Sequence, residues 1–372
     1  MNPTLVQRNI GLDILRAAAI TMVVLSHGVT LVGIPVLGEF GTGVDLFFVL
    51  SGFLVGRIYF RTSKGEKFKL SGFWIARWWR TLPPYAVGLL LYLAVRHVTS
   101  VAVPQAPLRW YYALFLQNYL GMTGWVPTWS LCVEEHFYLA LPLLALAVDR
   151  WLGRRAFATL LPCAFFVPLV LRMLALERTG LPANWYWMTH LHCEGLIAGL
   201  WLAYLFVERQ AAFTKVCKGS RWLLPLIPVL LVIVPVWHAG AALDVVVFTL
   251  LAIGYSAWLC VAYGLKWEPV SAIARGTRWT VQALALSAYS LYLTHTTVNE
   301  VLRGFAAQVL HLQRGVERTG FVLAGSLVVG AIFFLLVERP SILIRNRMMH
   351  RGPEQTLPLS TDASPLTATT GA

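Results

Sequence analysis

Apolar stretches of roughly 17–25 residues recur along the whole chain, separated by short polar segments, and that rhythm leaves few folds open. A helix needs about 20 such residues to cross a hydrocarbon core about 30 Å thick. A membrane barrel would alternate apolar and polar residues over short strands, whereas runs such as LLPLIPVLLVIVPVW (223–237) are continuous. With 58% hydrophobic and 13% charged residues, the chain reads as an all-α integral membrane protein.

Ten transmembrane helices are predicted, over 12–33, 41–60, 81–98, 129–148, 157–176, 190–207, 222–238, 243–264, 280–301 and 319–337. The aromatic stretch RWYYALFLQNYLG (109–121) is too short to span and is placed at the interface or as a re-entrant element. The first span runs too long for a signal peptide and is read as an uncleaved helix. One membrane domain is expected over 1–345, followed by a disordered tail, 346–372, rich in Pro, Ser and Thr.

The net charge of +13 is unevenly distributed. Assigning alternate connections to the side of the N-terminus collects twenty-two Lys and Arg there, against seven on the other side. The positive-inside rule then makes both termini cytoplasmic. Basic residues scattered among loops suit anionic membrane lipids and give no sign of nucleic-acid binding. The five cysteines lack a CxxC pair and read as small apolar packing residues, and no metal is expected.

Ionisable residues inside a bilayer are costly, so each begins as a functional candidate. Arg16 and His27 are eleven positions apart, which returns to within about 20° on a helix while rising about 16 Å. They share one face, Arg16 toward the cytoplasm and His27 in the outer half. Running the helices in alternate directions brings Asp45, Glu134, Glu135, His190, His192, Glu194 and His295 to the level of His27. A polar cavity in the outer half is the economical expectation. On the other side, Arg77 and Arg80 are three residues apart on one helical face and, with Arg16, form a candidate anion site.

The Arg-x10-His spacing of the first span is followed in order by GVDLFFVLSGFL (43–54), RWWRTLPPY (77–85), TWSLCVEEHFYLALP (128–142), SAYSLYLTH (287–295) and VERP (337–340). Together these blocks resemble the acyltransferase family 3 membrane proteins. The resemblance implies a ten-helix domain of the bacterial inner membrane that moves acetyl or other short acyl groups from acyl-CoA to sugar hydroxyls. Acceptors in that family include lipopolysaccharide, exopolysaccharide, peptidoglycan, nodulation factors and macrolides, and a surface glycan or glycolipid is the acceptor expected for this chain. Carried over residue by residue, the resemblance makes His27, Asp45 and Glu134 catalytic and assigns Arg16, Arg77 and Arg80 to the CoA phosphates. His192 stands where related THLR segments carry Arg.

In that reading His27 is a general base for the acceptor hydroxyl, its ring oriented by a carboxylate such as Asp45 or Glu134. His295 and Glu194 either line a substrate cavity or bond neighbouring helices, His192 lies beside them, and Trp129, with Trp125, is placed where a sugar could stack. Two rival readings are a proton-coupled transporter, which would carry inverted repeats and broken helices, and a non-catalytic partner in glycan export.

Overall fold

The computed structural model describes residues 9–28, 38–62, 69–99, 110–121, 124–178, 180–181, 184–237, 241–313 and 315–350. Among these residues the chain is helical, without strands. The principal helices are α1 (Ile10–Gly28), α2 (Gly43–Thr62), α3 (Leu70–Thr99), α4 (Trp129–Phe165), α5 (Val167–Arg178) and α6 (Glu194–Glu208). They are followed by α7 (Gln210–Ser220), α8 (Leu226–Trp237), α9 (Ala241–Tyr263), α10 (Ala272–Gln308), α11 (Val316–Phe333) and α12 (Arg339–His350).

Within the described residues, each of the ten predicted stretches falls on helix, and seven helical segments are long and apolar enough to cross a membrane. The predicted spans 81–98, 190–207 and 280–301 fall outside those seven for local reasons. Prolines 83 and 84 and two tyrosines lower the hydropathy of α3, and α10 is rich in Ser, Thr and Tyr over 280–301. Helix α6 has only 15 residues, because THL (189–191) forms a separate 3-10 turn before it. With 37 residues, about 55 Å, α10 extends beyond what one crossing needs.

Two breaks shape the middle of the chain. Gly153 takes φ 79°, a left-handed backbone that kinks α4 within RWLGRR, and a turn at Phe166 separates α4 from α5. The 109–121 stretch, described from 110, does not span: it makes a 3-10 turn (Trp110–Tyr112) and a single helical turn (Gln117–Leu120), with Gln117 and Asn118 completely buried. Helix α12 continues to His350, past the position 345 at which the membrane domain is expected to end. The remaining tail lies outside the described residues.

At VERP the helix widens. Phe334–Glu338 forms a π-helical turn immediately before Pro340, whose missing N–H removes one bond of the α-helical ladder. The wider turn holds Glu338 inward, where its Oε2 accepts the Ser290 N–H (3.1 Å) and hydroxyl (2.5 Å) from α10.

Helices α2 and α6 pack backbone to backbone, through small residues. A Cβ on Gly52 would lie 2.0 Å from the Leu196 carbonyl oxygen, and one on Gly199 would lie 2.1 Å from that of Val49. Within lipid, where apolar surface gives little drive for helix association, such backbone contact supplies the packing energy. It also sets the start of α2, with Asp45, against the segment preceding α6, with His192. We therefore expect Gly199→Val to lower the thermal unfolding midpoint of detergent-solubilised protein by an amount equivalent to about 1–3 kcal/mol or more. Gly276→Ala, where the added methyl meets open space, should leave that midpoint unchanged or slightly raised.

Candidate functional site

Five helices converge on a cavity of about 110 Å³. Arg16 enters from α1, Ser51 from α2, Arg77 and Arg80 from α3, and Glu134 and Tyr138 from α4, while α10 closes one side with Tyr289 and Tyr292. The sequence-predicted residues Arg16, Arg77, Arg80 and Glu134 thus meet in one place. Glu134 is held by two donors, the Ser51 hydroxyl at 2.9 Å and the Tyr138 hydroxyl at 2.8 Å. The Arg77 guanidinium lies 4.7 Å from the Tyr138 ring centroid, and Arg16 meets Asp13 one turn away at 3.5 Å. Arg345 of α12 adds to the positive field around Arg80 and Arg77. Cations ordered on a cavity wall attract oxyanions, and arginine's planar fork suits phosphate or carboxylate.

His27 does not line this cavity; it pairs with His295. The two rings are 4.9 Å apart between centroids, edge to face at 72°. Among the described residues no carboxylate bonds His27. Its Nδ1 lies 3.0 Å from the Val23 carbonyl oxygen and 3.1 Å from the Ser26 hydroxyl, which itself donates to Val23 O at 2.8 Å. A carbonyl only accepts, so Nδ1 carries the hydrogen and Nε2 keeps the lone pair that a base requires. The same logic holds for His295, completely buried, whose Nδ1 faces the Tyr292 (2.8 Å) and Leu291 (3.2 Å) carbonyls. Its Nε2 has no hydrogen-bond partner in the described structure.

Tyr292 separates the cavity from the histidine pair. It lines the cavity, and its ring lies 5.7 Å from that of His295. Its hydroxyl is anchored by the Pro127 carbonyl at 2.6 Å and by Ser130 at 2.5 Å.

Asp45 belongs to a third group. Its Oδ1 meets His192 Nε2 at 2.8 Å, and His192 Nδ1 donates to the Tyr186 carbonyl at 2.8 Å, so a proton lies between imidazole and carboxyl. The His192 ring stacks on Phe248 at 3.7 Å and on Trp129 at 5.2 Å. Beside it Arg172, buried completely, spends its fork on Glu194 (2.5 Å), Thr249 (3.1 Å) and the Val245 (2.8 Å) and Leu191 carbonyls.

The outer-level residues therefore do not share one water-lined cavity. Burial is the physical reason: out of water, Asp45 and His192, and Arg172 and Glu194, satisfy each other directly. His192, Glu194, His295 and Trp129 are all buried and absent from the cavity lining, and Trp125 stacks between Tyr85 (5.5 Å) and Tyr92 (5.7 Å) instead of facing a ligand. His190 is exposed and sits 2.9 Å from the Tyr119 hydroxyl.

Sequence reasoning missed Ser51, Tyr138, Tyr292 and Arg172. The tyrosines and Ser51 carried no charge to attract notice, although they lie inside quoted motif blocks. Arg172 lies inside the predicted span 157–176, and a cation within that apolar run is the available signal.

Replacing one member of a buried pair leaves the other uncompensated. Glu194→Ala should destabilise the fold by about 3–5 kcal/mol, read as a lowered midpoint of thermal unfolding. A midpoint unchanged from the parent would contradict the pairing.

Comparisons with known proteins bear on this arrangement. The acyltransferase domain model of acyltransferase family 3 matches residues 9–337. O-acetyltransferase OatA of Staphylococcus aureus (strain NCTC 8325 / PS 47) is 29% identical over 221 residues, covering 53% of this chain and 34% of that protein. The OatA of strain COL matches with the same identity and coverage. The chain thus spans about a third of the length of the curated relatives it matches. No solved structure matches it. With the family model covering nearly the whole described bundle, from the start of α1 to the π-helical turn before α12, the chain belongs to acyltransferase family 3.

Proposed function

We propose that this protein is a multi-pass membrane O-acyltransferase that moves an acyl group from acyl-CoA to a hydroxyl of a surface glycan, lipopolysaccharide, exopolysaccharide or glycolipid. Acetyl is the group favoured by the names of its relatives. The observation that carries the reading is an arginine-lined cavity whose Tyr292 end lies one helical turn from His295, which packs edge to face on His27. The donor binds from the cytoplasm and the acceptor from outside, in the inner membrane of a bacterium, with no metal taking part.

Arg77, Arg80 and Arg16 receive the CoA phosphates. The cavity, about 110 Å³, is smaller than the roughly 300–1,000 Å³ of ordinary small-molecule sites, so it takes the extended arm and leaves the nucleotide at its mouth. Glu134, facing the same space, accepts a hydrogen bond from an amide of that arm. This makes it a positioning group for the donor. Asp45, tied to His192, fixes the α2 segment that bears Ser51, and Glu194 and Trp129 support the same wall.

His27 performs the chemistry. Its Nε2 takes the proton of the acceptor hydroxyl as the oxygen bonds to the thioester carbonyl carbon. Collapse of the tetrahedral adduct breaks the C–S bond, and the thiolate recovers the proton from the imidazolium. In the alternative order, Nε2 attacks the thioester carbonyl and expels the thiolate, and the acceptor oxygen then displaces the imidazole while its proton passes to the thiolate.

Membranes containing the full chain, given labelled acetyl-CoA, should acylate surface glycan, and His27→Ala should slow transfer about 10²–10⁴-fold. Equal labelling would overturn the assignment of His27, and solute uptake without acylation would favour a transporter. Arg80→Ala should raise KM for acetyl-CoA about tenfold while largely sparing kcat, as loss of uniform binding requires. An unchanged KM would detach the arginines from the donor.

A further inference from the structure

We propose that the Tyr292 end of the arginine-lined cavity is an acyl-length gauge, in which Phe47 and Leu131 face Tyr292 and admit a short acyl group such as acetyl while rejecting longer chains. The inference rests on the acyl-CoA reading of this cavity and names the class of donor it takes.

Side-chain contacts order the cavity from end to end. At one end the Arg77 guanidinium lies 4.7 Å from the Tyr138 ring centroid, and midway Ser51 meets Glu134 at 2.9 Å. At the other end Tyr292 meets Ser130 at 2.5 Å. Ser130 and Tyr138 are eight residues apart on α4, a rise of about 12 Å. Arg16, whose guanidinium reaches back one turn to Asp13, turns away from the Tyr292 end. Phosphates held by the arginines therefore direct the thioester, and the acyl group beyond it, toward Tyr292.

That end is lined by hydrocarbon. Val44, Phe47 and Phe48 of α2 and Leu131 of α4 line it, and the ring of Phe47 stands edge to face with that of Tyr292, 6.5 Å between centroids at 77°. The two hydroxyls present there are already used, Ser130 on Tyr292 and Tyr292 on the Pro127 carbonyl at 2.6 Å. On α10, Ala285 and Ala288 are small and leave room along the cavity, and Tyr292, on the same face one turn further on, closes it.

The wall is also held from behind. Phe48, 1% exposed, packs edge to face on Trp129 at 5.9 Å and on His192 at 5.6 Å, and His192 is bonded to Asp45 at 2.8 Å. Packing of this kind does not open for an extra methylene without displacing its neighbours. In a cavity of about 110 Å³ in all, an acyl chain that lengthens past the carbonyl meets the Phe47, Leu131 and Tyr292 side chains. An apolar pocket discriminates a single methylene by about 10–200-fold. Phe47 is the wall residue best suited to a test, because it is only partly buried and its removal strands no polar group.

The test uses membranes containing the full chain, given acetyl-, butyryl- or hexanoyl-CoA over a range of concentrations, with acyl transfer to membrane glycan read by mass spectrometry. For the parent protein, kcat/KM should fall at least tenfold from acetyl to butyryl and further to hexanoyl. Phe47→Ala should raise the butyryl-to-acetyl ratio of kcat/KM at least tenfold, and Leu131→Ala should raise it several-fold. Leu54→Ala, on the arginine side of Ser51, should affect both donors alike and leave the ratio unchanged. Because the ratio does not depend on how much protein is folded, a loss of stability alone would not move it. Butyryl used as well as acetyl by the parent, or a ratio unmoved in both Phe47→Ala and Leu131→Ala, would overturn the gauge and leave acyl transfer standing. A parent protein that transfers none of the three acyl groups would overturn the acyltransferase reading, and the gauge with it.

Discussion

The cost of holding charge away from water governs this structure more than any other constraint. A helical bundle in lipid gains little by burying another leucine, but an unpaired charge or hydrogen-bonding group inside it is expensive. The chain meets that cost by pairing across helices: Arg172 with Glu194, Asp45 with His192, Glu134 with Ser51 and Tyr138, and Glu338 with Ser290. Apart from the Tyr138 bond, which lies within α4, each contact joins different segments, so the polar contacts also determine which helices meet. The glycine contact between α2 and α6 then brings Asp45 to His192.

Against this background the incompletely matched groups stand out. Arg77 and Arg80 face a cavity with a stacked tyrosine and the already bonded Glu134. His295 presents an Nε2 with no partner beside the ring of His27. Tyr292 stands between these two places, its hydroxyl bonded to Pro127 and Ser130. In the proposed reaction the donor and the base approach from opposite sides of that ring, and water is kept from the thioester by the surrounding packing.

Much of this was legible in the sequence because lipid imposes a simple rule on helix length and on charge. The helices, their approximate limits and the meeting of Arg16 with Arg77 and Arg80 follow from apolar run lengths and helical register. The partners of the outer-level residues did not follow. Depth places Asp45, His192, Glu194 and His295 at one level, but the azimuth of each helix decides which of them touch, and one sequence contains no measure of azimuth. His27 shows the limit most plainly: the carboxylate expected to orient it is replaced by the carbonyl of Val23, four residues back on its own helix. Tyr292 was invisible for a related reason, since a tyrosine in a membrane span is ordinarily an interface or packing residue.

The most direct measurement of the central claim is an experimental density map of the full chain in lipid nanodiscs with a hydrolysis-resistant thioether analogue of acetyl-CoA. The expected map shows phosphates beside Arg77 and Arg80, the arm along Glu134, and the acyl carbonyl at the Tyr292 end of the cavity within reach of His27 Nε2. An acyl group bound away from the His27–His295 pair, with Tyr292 still bonded to Pro127 and closing the route between them, would contradict it.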